Sequence, residues 1–246
     1  MPGKVETHSC SGHLAKVANT RSIMIEIRHR QSNELILRVD ADVLNTADLK
    51  GVDLRHADLR GMKLDGICFG GRMSHADFTG SRLWSANFYS THVDYACFRD
   101  ANLGGTSFEG ANLQHADFSA SRLSNVNLLH ASLIDANLSH ADLKGANLSF
   151  ASARRANFGF SNLEQALFYE TSLTDTNFAM ASFSGTAFMN CATLARSIGL
   201  EEVIHHKPSF VDWTTLKGQI RSLPESFLAN VGLTQDEIRL LLSLLP

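Results

Sequence analysis

The residues best able to do chemistry in this chain are histidines, cysteines and carboxylates, and their spacing decides what they can do. His8, Cys10 and His13 carry the nitrogen and sulfur donors that zinc prefers, but they sit in a polar, aperiodic segment with no fourth ligand, so no metal site is assigned to them. His56, His75, Tyr95 and His115 are not clustered at all; they recur at intervals of 19, 20 and 20 residues. Asp and Asn recur at fives, as in Asn137, Asp142 and Asn147. Nothing matches a nucleophile elbow, a phosphate-binding loop, an HExxH pair or carboxylates paired in a cleft, so no catalytic residue and no cofactor are expected. The four cysteines (Cys10, Cys68, Cys97, Cys191) are far apart and form no CxxC, which reads as reduced thiols.

What positions these residues is a repeat. Between Ala131 and Leu148 every fifth residue is leucine (Leu133, Leu138, Leu143, Leu148), with alanine two places before each and a small polar residue between. A period of five suits neither helix nor strand: around a helix it drifts by about 140° per step. The chain must turn a corner in every repeat, which makes a coil, and stacked coils make a solenoid. The large centres begin near Leu44 and run through Leu49, Leu54, Leu59, Leu64 and Phe69. The next centre, Met73, follows after four residues rather than five, and the phase then holds through 24 centres to Phe188. Two glycines at the slip, Gly70 and Gly71, permit a shortened or distorted corner.

The repeats resemble the A(D/N)LXX pattern of the pentapeptide repeat family, in about 30 units over roughly 60% of the chain. That resemblance implies an all-β solenoid, a right-handed quadrilateral β-helix with four repeats per coil and about 7 to 8 coils. Sorting the centres by a 20-residue coil gives four faces. Phenylalanine dominates the second (Phe78, Phe98, Phe118, Phe158, Phe178) and the fourth (Phe88, Phe108, Phe168, Phe188), and aliphatic residues dominate the other two. These ladders read as a packed core. His56, His75, Tyr95 and His115 then share one outward column of the first face, expected to be a solvated ladder. On the outside of the fourth face fall Tyr89, Leu129, Phe150, Leu167, Tyr169 and Met189, a clustering that suggests contact with the chain's own tail, a second copy or a partner.

Residues 1–20 read as a flexible tail and 21–43 as a β-hairpin cap, because Ile23–Ile27 and Leu35–Val39 are β-rich runs around a polar turn. Residues 44–193 form the repeat region and 194–246 a small α-helical cap or association region. In the latter, Ser222 to Glu225 and Thr234 to Glu237 both match a capping box. Phe227, Leu228, Ile238, Leu241, Leu242 and Leu245 need burial, against the last coil or another copy. This tail (GLEEVIHHKPSFVDWTTL, then LPESFLANVGL) resembles a segment that precedes TIR-like domains in some bacterial multidomain proteins, which implies a regulatory role beside such an effector.

The net charge of −3 excludes a basic nucleic-acid binder, and no apolar run reaches the roughly 20 residues of a membrane span. With no signal-peptide pattern at the start, a cytoplasmic location is the expectation. The leading expectation for function is a non-catalytic interaction or scaffold module that meets a protein partner or a second copy through the apolar face and helical tail. Some family members imitate duplex DNA and bind DNA gyrase. Here 14 acids stand against 11 bases within 44–193, a balance too weak to favour that alternative.

Overall fold

A computed structural model describes residues 24–40, 49 and 51–244 of the chain. His8, Cys10, His13, Leu44 and Leu245 therefore lie outside the described residues. The repeat region is a four-sided β-helix whose coils stack in parallel. Residues one coil apart bridge each other: Asp77 to Cys97, Cys97 to Asp117, Asp117 to Asn137, and so on along all four sides. The ladder runs both ways. Phe98 donates its amide to the Asp117 carbonyl at 2.7 Å, and the Asp117 amide donates to the Ala96 carbonyl at 2.9 Å.

Each corner is a turn closed by the alanine-position amide, as where Ala116 donates to the Leu113 carbonyl at 3.1 Å. The second residue after each centre has a positive φ, from His56 (57°) to Asn190 (52°). A turn with φ above zero only at that position is type II, which normally selects glycine or asparagine. Glycine fills it at Gly61, Gly105 and Gly145, but His, Tyr, Phe and Met occupy it elsewhere. Where Asp or Asn precedes the centre it braces the corner: the Asn127 Oδ1 accepts the Leu129 amide at 3.1 Å and the Asn87 Oδ1 the Tyr89 amide at 2.8 Å. Where Thr replaces the inward alanine, its buried hydroxyl donates to a carbonyl, as Thr106 does to Leu83 (2.7 Å) and Thr176 to Ala153 (2.7 Å).

The slip at Gly70–Gly71 shortens a single corner. Bridges that span it are 19 residues long (Asp58 to Asp77, Cys68 to Asn87), while Leu49 to Phe69 and Arg72 to His92 span 20. Face order survives, because one residue is lost from the turn and none from a side. Inside, the two phenylalanine ladders face each other. Phe78, Phe98 and Phe118 stack at 4.7 and 4.8 Å, Phe88 and Phe108 at 4.7 Å, and the ladders meet edge to face at 5.5–5.8 Å. Both are offset or edge geometries in which aromatic pairs attract.

At the N-terminal end, strands β1 (Met24–His29) and β2 (Leu35–Asp40) form an antiparallel hairpin. β1 also pairs antiparallel with β3 (Ala57–Asp58), so the hairpin docks on the first described coil and buries Ile27. At the other end lie β4 (Leu167–Tyr169), β5 (Ser182–Ser184) and β6 (Ala187–Met189). The coil does not stop at 193. Ile198 bridges Asn177, β7 (Ile204–Lys207) pairs parallel with β5, and β8 (Phe210–Val211) pairs parallel with β6. One more, irregular coil is thus built by sequence that has lost the repeat. Three helices then close the end: α1 (Trp213–Lys217), α2 (Glu225–Asn230) and α3 (Gln235–Leu244). The Thr234 box forms, with the Thr234 Oγ1 accepting the Glu237 amide at 3.2 Å and Glu237 accepting the Thr234 amide at 2.8 Å. The Ser222 box does not: Pro224 is the N-cap of α2 and no side chain caps it, since a helix opening two residues later than the box requires leaves Ser222 outside. Cys97 and Cys191 are free thiols, burial pushing the latter up to about 11, whereas Cys68 is disulfide-bonded, a departure from the reading of thiols throughout.

Candidate interaction face

Two outward features gather side chains by stacking. The first is the column that begins with His56. His56, His75, Tyr95 and His115 stack with ring centroids 4.8, 4.9 and 4.6 Å apart, and His29 of the hairpin adds a tilted ring at 5.3 Å from His56. Burial lowers the His56 pKa, and the neighbouring His75 and His29 lower it further. Beyond His115 the column continues as Asp135, whose Oδ2 is 3.9 Å from the His115 Nε2 and 2.6 Å from the Arg155 guanidinium. Parallel rings cannot converge their nitrogens on one ion, and among the described residues no group of three or more His, Cys, Asp or Glu is placed to hold a metal.

The second feature is the fourth face. Tyr89 is 60% exposed and Phe150 41%, while Leu129, Leu167, Tyr169 and Met189 are half-buried. Phe150 stacks on His130 (4.9 Å) and meets Tyr169 edge to face (5.1 Å); Tyr169 pairs with Met189 in the β4–β6 ladder. Glu170 beside the Tyr169 hydroxyl raises that phenol's pKa. Tyr89 stands apart, two coils from Leu129, with Glu109 between them.

The tail lengthens this face. β8 puts Phe210 against Ala187, one coil beyond Leu167, and leaves it 56% exposed; Trp213, 51% exposed, follows Asp212, which accepts the Asn190 amide at 3.1 Å. Sequence reasoning missed both aromatics because they lie after the repeat ends, and IHHKPSFVDW carries no periodic signal. It also missed a second apolar corner, after the second face, where His140 stacks on Phe160 at 4.9 Å and Met180 is exposed.

The remaining candidates are spent elsewhere. Phe227, Leu228 and Ile238 are buried in the chain's own C-terminal cap, with Phe227 at 6.3 Å from Phe188 and 5.9 Å from His205. Leu241 and Leu242 are half-buried against the same core, and Leu240 is exposed. The apolar tail therefore caps the last coil and does not lie over the fourth face.

A model of pentapeptide repeats matches the chain in eight copies, over residues 43–71, 72–110, 111–149, 131–168 and 154–188. The chain belongs to the pentapeptide repeat family. Its coils are those of the right-handed β-helix that this family builds. No curated protein matches it significantly. Among solved structures it is similar to a pentapeptide repeat protein of the Arabidopsis thaliana thylakoid lumen, at 32% identity over 37% of this chain and 63% of that one, with a TM-score of 0.36. It thus spans less than two thirds of that relative. It is also similar to HetL of Nostoc sp. strain PCC 7120, involved in heterocyst differentiation regulation (22% identity, 58% of this chain and 78% of that one, TM-score 0.26). A third is QnrB1, a plasmid-mediated fluoroquinolone resistance protein (17% identity, 60% and 79%, TM-score 0.39). Among the described residues no helix is long and apolar enough to cross a membrane.

Proposed function

We propose that this pentapeptide repeat protein is a non-catalytic interaction module whose fourth face meets another protein. One observation carries the reading. Every coil from Leu129 to Trp213 presents at least one outward apolar side chain on that face (Leu129, Phe150, Tyr169, Met189, Phe210 and Trp213), while the chain's own apolar tail is consumed at the end of the rod. Isolated exposed apolar residues need no explanation, but a contiguous strip on one side does. The rest of the rod suits such a role: with the backbone amides of each side engaged in the ladder, the turns or the Asn/Asp braces, the backbone of the surface is presented already ordered. Imitation of DNA is a weaker reading, because the fourth face holds three carboxylates where duplex DNA would carry about 20 charges over 35 Å.

The test is site-specific photocrosslinking in cells that express the chain. A benzophenone amino acid at position 150 or 169 is expected to give a discrete protein adduct, and one at position 154, exposed on the first face, to give none. Adducts indistinguishable among the three positions would defeat the proposal.

A further inference from the structure

The charge pattern around the apolar strip says what kind of surface it fits. From Phe69 onward the fourth side of each coil is a five-residue segment: 67–71, 86–90, 106–110, 126–130, 146–150, 166–170, 186–190 and, in the irregular last coil, 209–213. None of these eight segments contains a lysine or an arginine. Each of the other three sides carries several, among them Arg154 and Arg155 on the first, Arg60 and Arg99 on the second, and Arg82, Arg122 and Lys144 on the third. The fourth side has carboxylates instead: Glu109, Glu170 and Asp212, alongside the exposed aromatics. Elsewhere on the rod several carboxylates are neutralised by a base, as Asp58 is by Arg60, Asp135 by Arg155 and Glu164 by Lys144, while Asp94 and Asp142 accept from serine or asparagine. Among the described residues Glu109 accepts from the Asn127 amide and Glu170 from the Tyr169 hydroxyl, both neutral groups.

Resting on the interaction reading above, we infer that the fourth face docks a basic amphipathic helix of a partner protein, its apolar side on the Leu129–Trp213 strip and its lysines or arginines toward Glu109 and Glu170. Shape and length agree. The strip covers five coils, about 19 Å at the spacing of neighbouring strands. A helix of roughly 13 residues spans that distance at 1.5 Å per residue. The corner bordering the strip on the side of the third face is low, built of Asn125, Gly145, Gln165 and Gly185, so a cylinder about 10 Å across can lie along the rod without meeting a ridge. Such docking uses main-chain-independent contacts: an apolar stripe at i, i+3, i+4, i+7 against apolar side chains, with the rim charges setting orientation.

The experiment uses the full chain carrying Trp84→Phe, so that Trp213 is its sole tryptophan, with fluorescence and calorimetry, and three 16-residue helical peptides that share one leucine stripe and carry lysine, glutamine or glutamate on the polar side. The lysine peptide is expected to bind at least tenfold more tightly than the glutamine one, with the glutamate peptide weakest. Glu170→Lys and Glu109→Lys should each weaken the lysine peptide several-fold and leave the glutamine peptide unchanged. Phe150→Asp separates docking from generic attraction: it adds a negative charge, so diffuse electrostatics would strengthen the lysine peptide, whereas loss of the apolar contact weakens it. If the glutamine and lysine peptides bind equally and both lose affinity in Phe150→Asp, the interaction reading stands and the basic partner is overturned. If no peptide binds, or Phe150→Asp strengthens the lysine peptide, the docking inference is overturned, and the crosslinks from positions 150 and 169 decide separately whether the face contacts protein at all.

Discussion

Phe118 shows how much a single position can carry. Its ring is fully buried, stacks 4.8 Å from Phe98 and meets Phe108 edge to face at 5.6 Å, so truncation leaves a void lined by rungs that the ladder holds in place. Phe118→Ala is expected to cost about 3–5 kcal/mol in denaturant unfolding; a loss below about 1 kcal/mol would mean the rungs collapse around the gap. At the corners the residue scale reads differently. Phe150 and Phe160 hold positive φ values of 57° and 60°, a conformation that bulky side chains avoid. Each is supported by a histidine one coil away, stacked at 4.9 Å. Strain of this kind persists only where the surroundings fix it, and here the two flanking sides of every coil do so through their hydrogen bonds.

Among the elements, the junction between β7 and α2 stands out. His205 lies between Phe183 (5.6 Å) and Phe227 (5.9 Å), and neither ring nitrogen has a hydrogen-bond partner among the described residues. Burial lowers its pKa. A histidine whose folded pKa is depressed stays neutral in the native state, while the unfolded chain takes up a proton below about pH 6.5. The unfolded state then binds more protons, so stability falls as pH drops from about 6.5 toward the depressed folded value, and is unaffected above that window. His205→Leu should raise thermal stability by about 1 kcal/mol at pH 7.5, by removing two unpartnered nitrogens from an apolar site. It should gain more at pH 5, where the acid-linked loss disappears. An equal gain at both pH values would show that His205 does not titrate on unfolding.

Over the whole molecule, both ends of the ladder are closed by sequence that is not repeat. A β-helix that simply stopped would expose unpaired strand edges and a cross-section of phenylalanines, which invites end-to-end association. Here the Thr215 hydroxyl accepts the Cys191 amide (2.9 Å), Gln219 accepts the Ala195 amide (2.7 Å) and donates to the Cys191 carbonyl (2.8 Å), and Phe227 covers Phe188. A chain ending at residue 212 is therefore expected to form concentration-dependent oligomers in sedimentation velocity, with a lowered melting temperature. The same mass and the same melting temperature as the intact chain would show that these helices are dispensable for closure.

The amino-acid sequence alone determined that the chain coils into a solenoid, because a five-residue period must turn a corner in every repeat. Resemblance to the family supplied four repeats per coil, and the phenylalanine ladders, the histidine column and the outward residues of the fourth face then follow from counting in twenties. The Gly70–Gly71 slip was legible for the same reason, although only the bridges fixed it as one short corner. The tertiary structure alone decided what the non-repeating residues do. That Phe210 and Trp213 extend the fourth face, that Phe227 and Ile238 are buried in the cap and that Ser222 caps nothing depends on contacts between segments far apart in the chain. Local pattern encodes those contacts nowhere, because each is selected by the shape of the coil it closes.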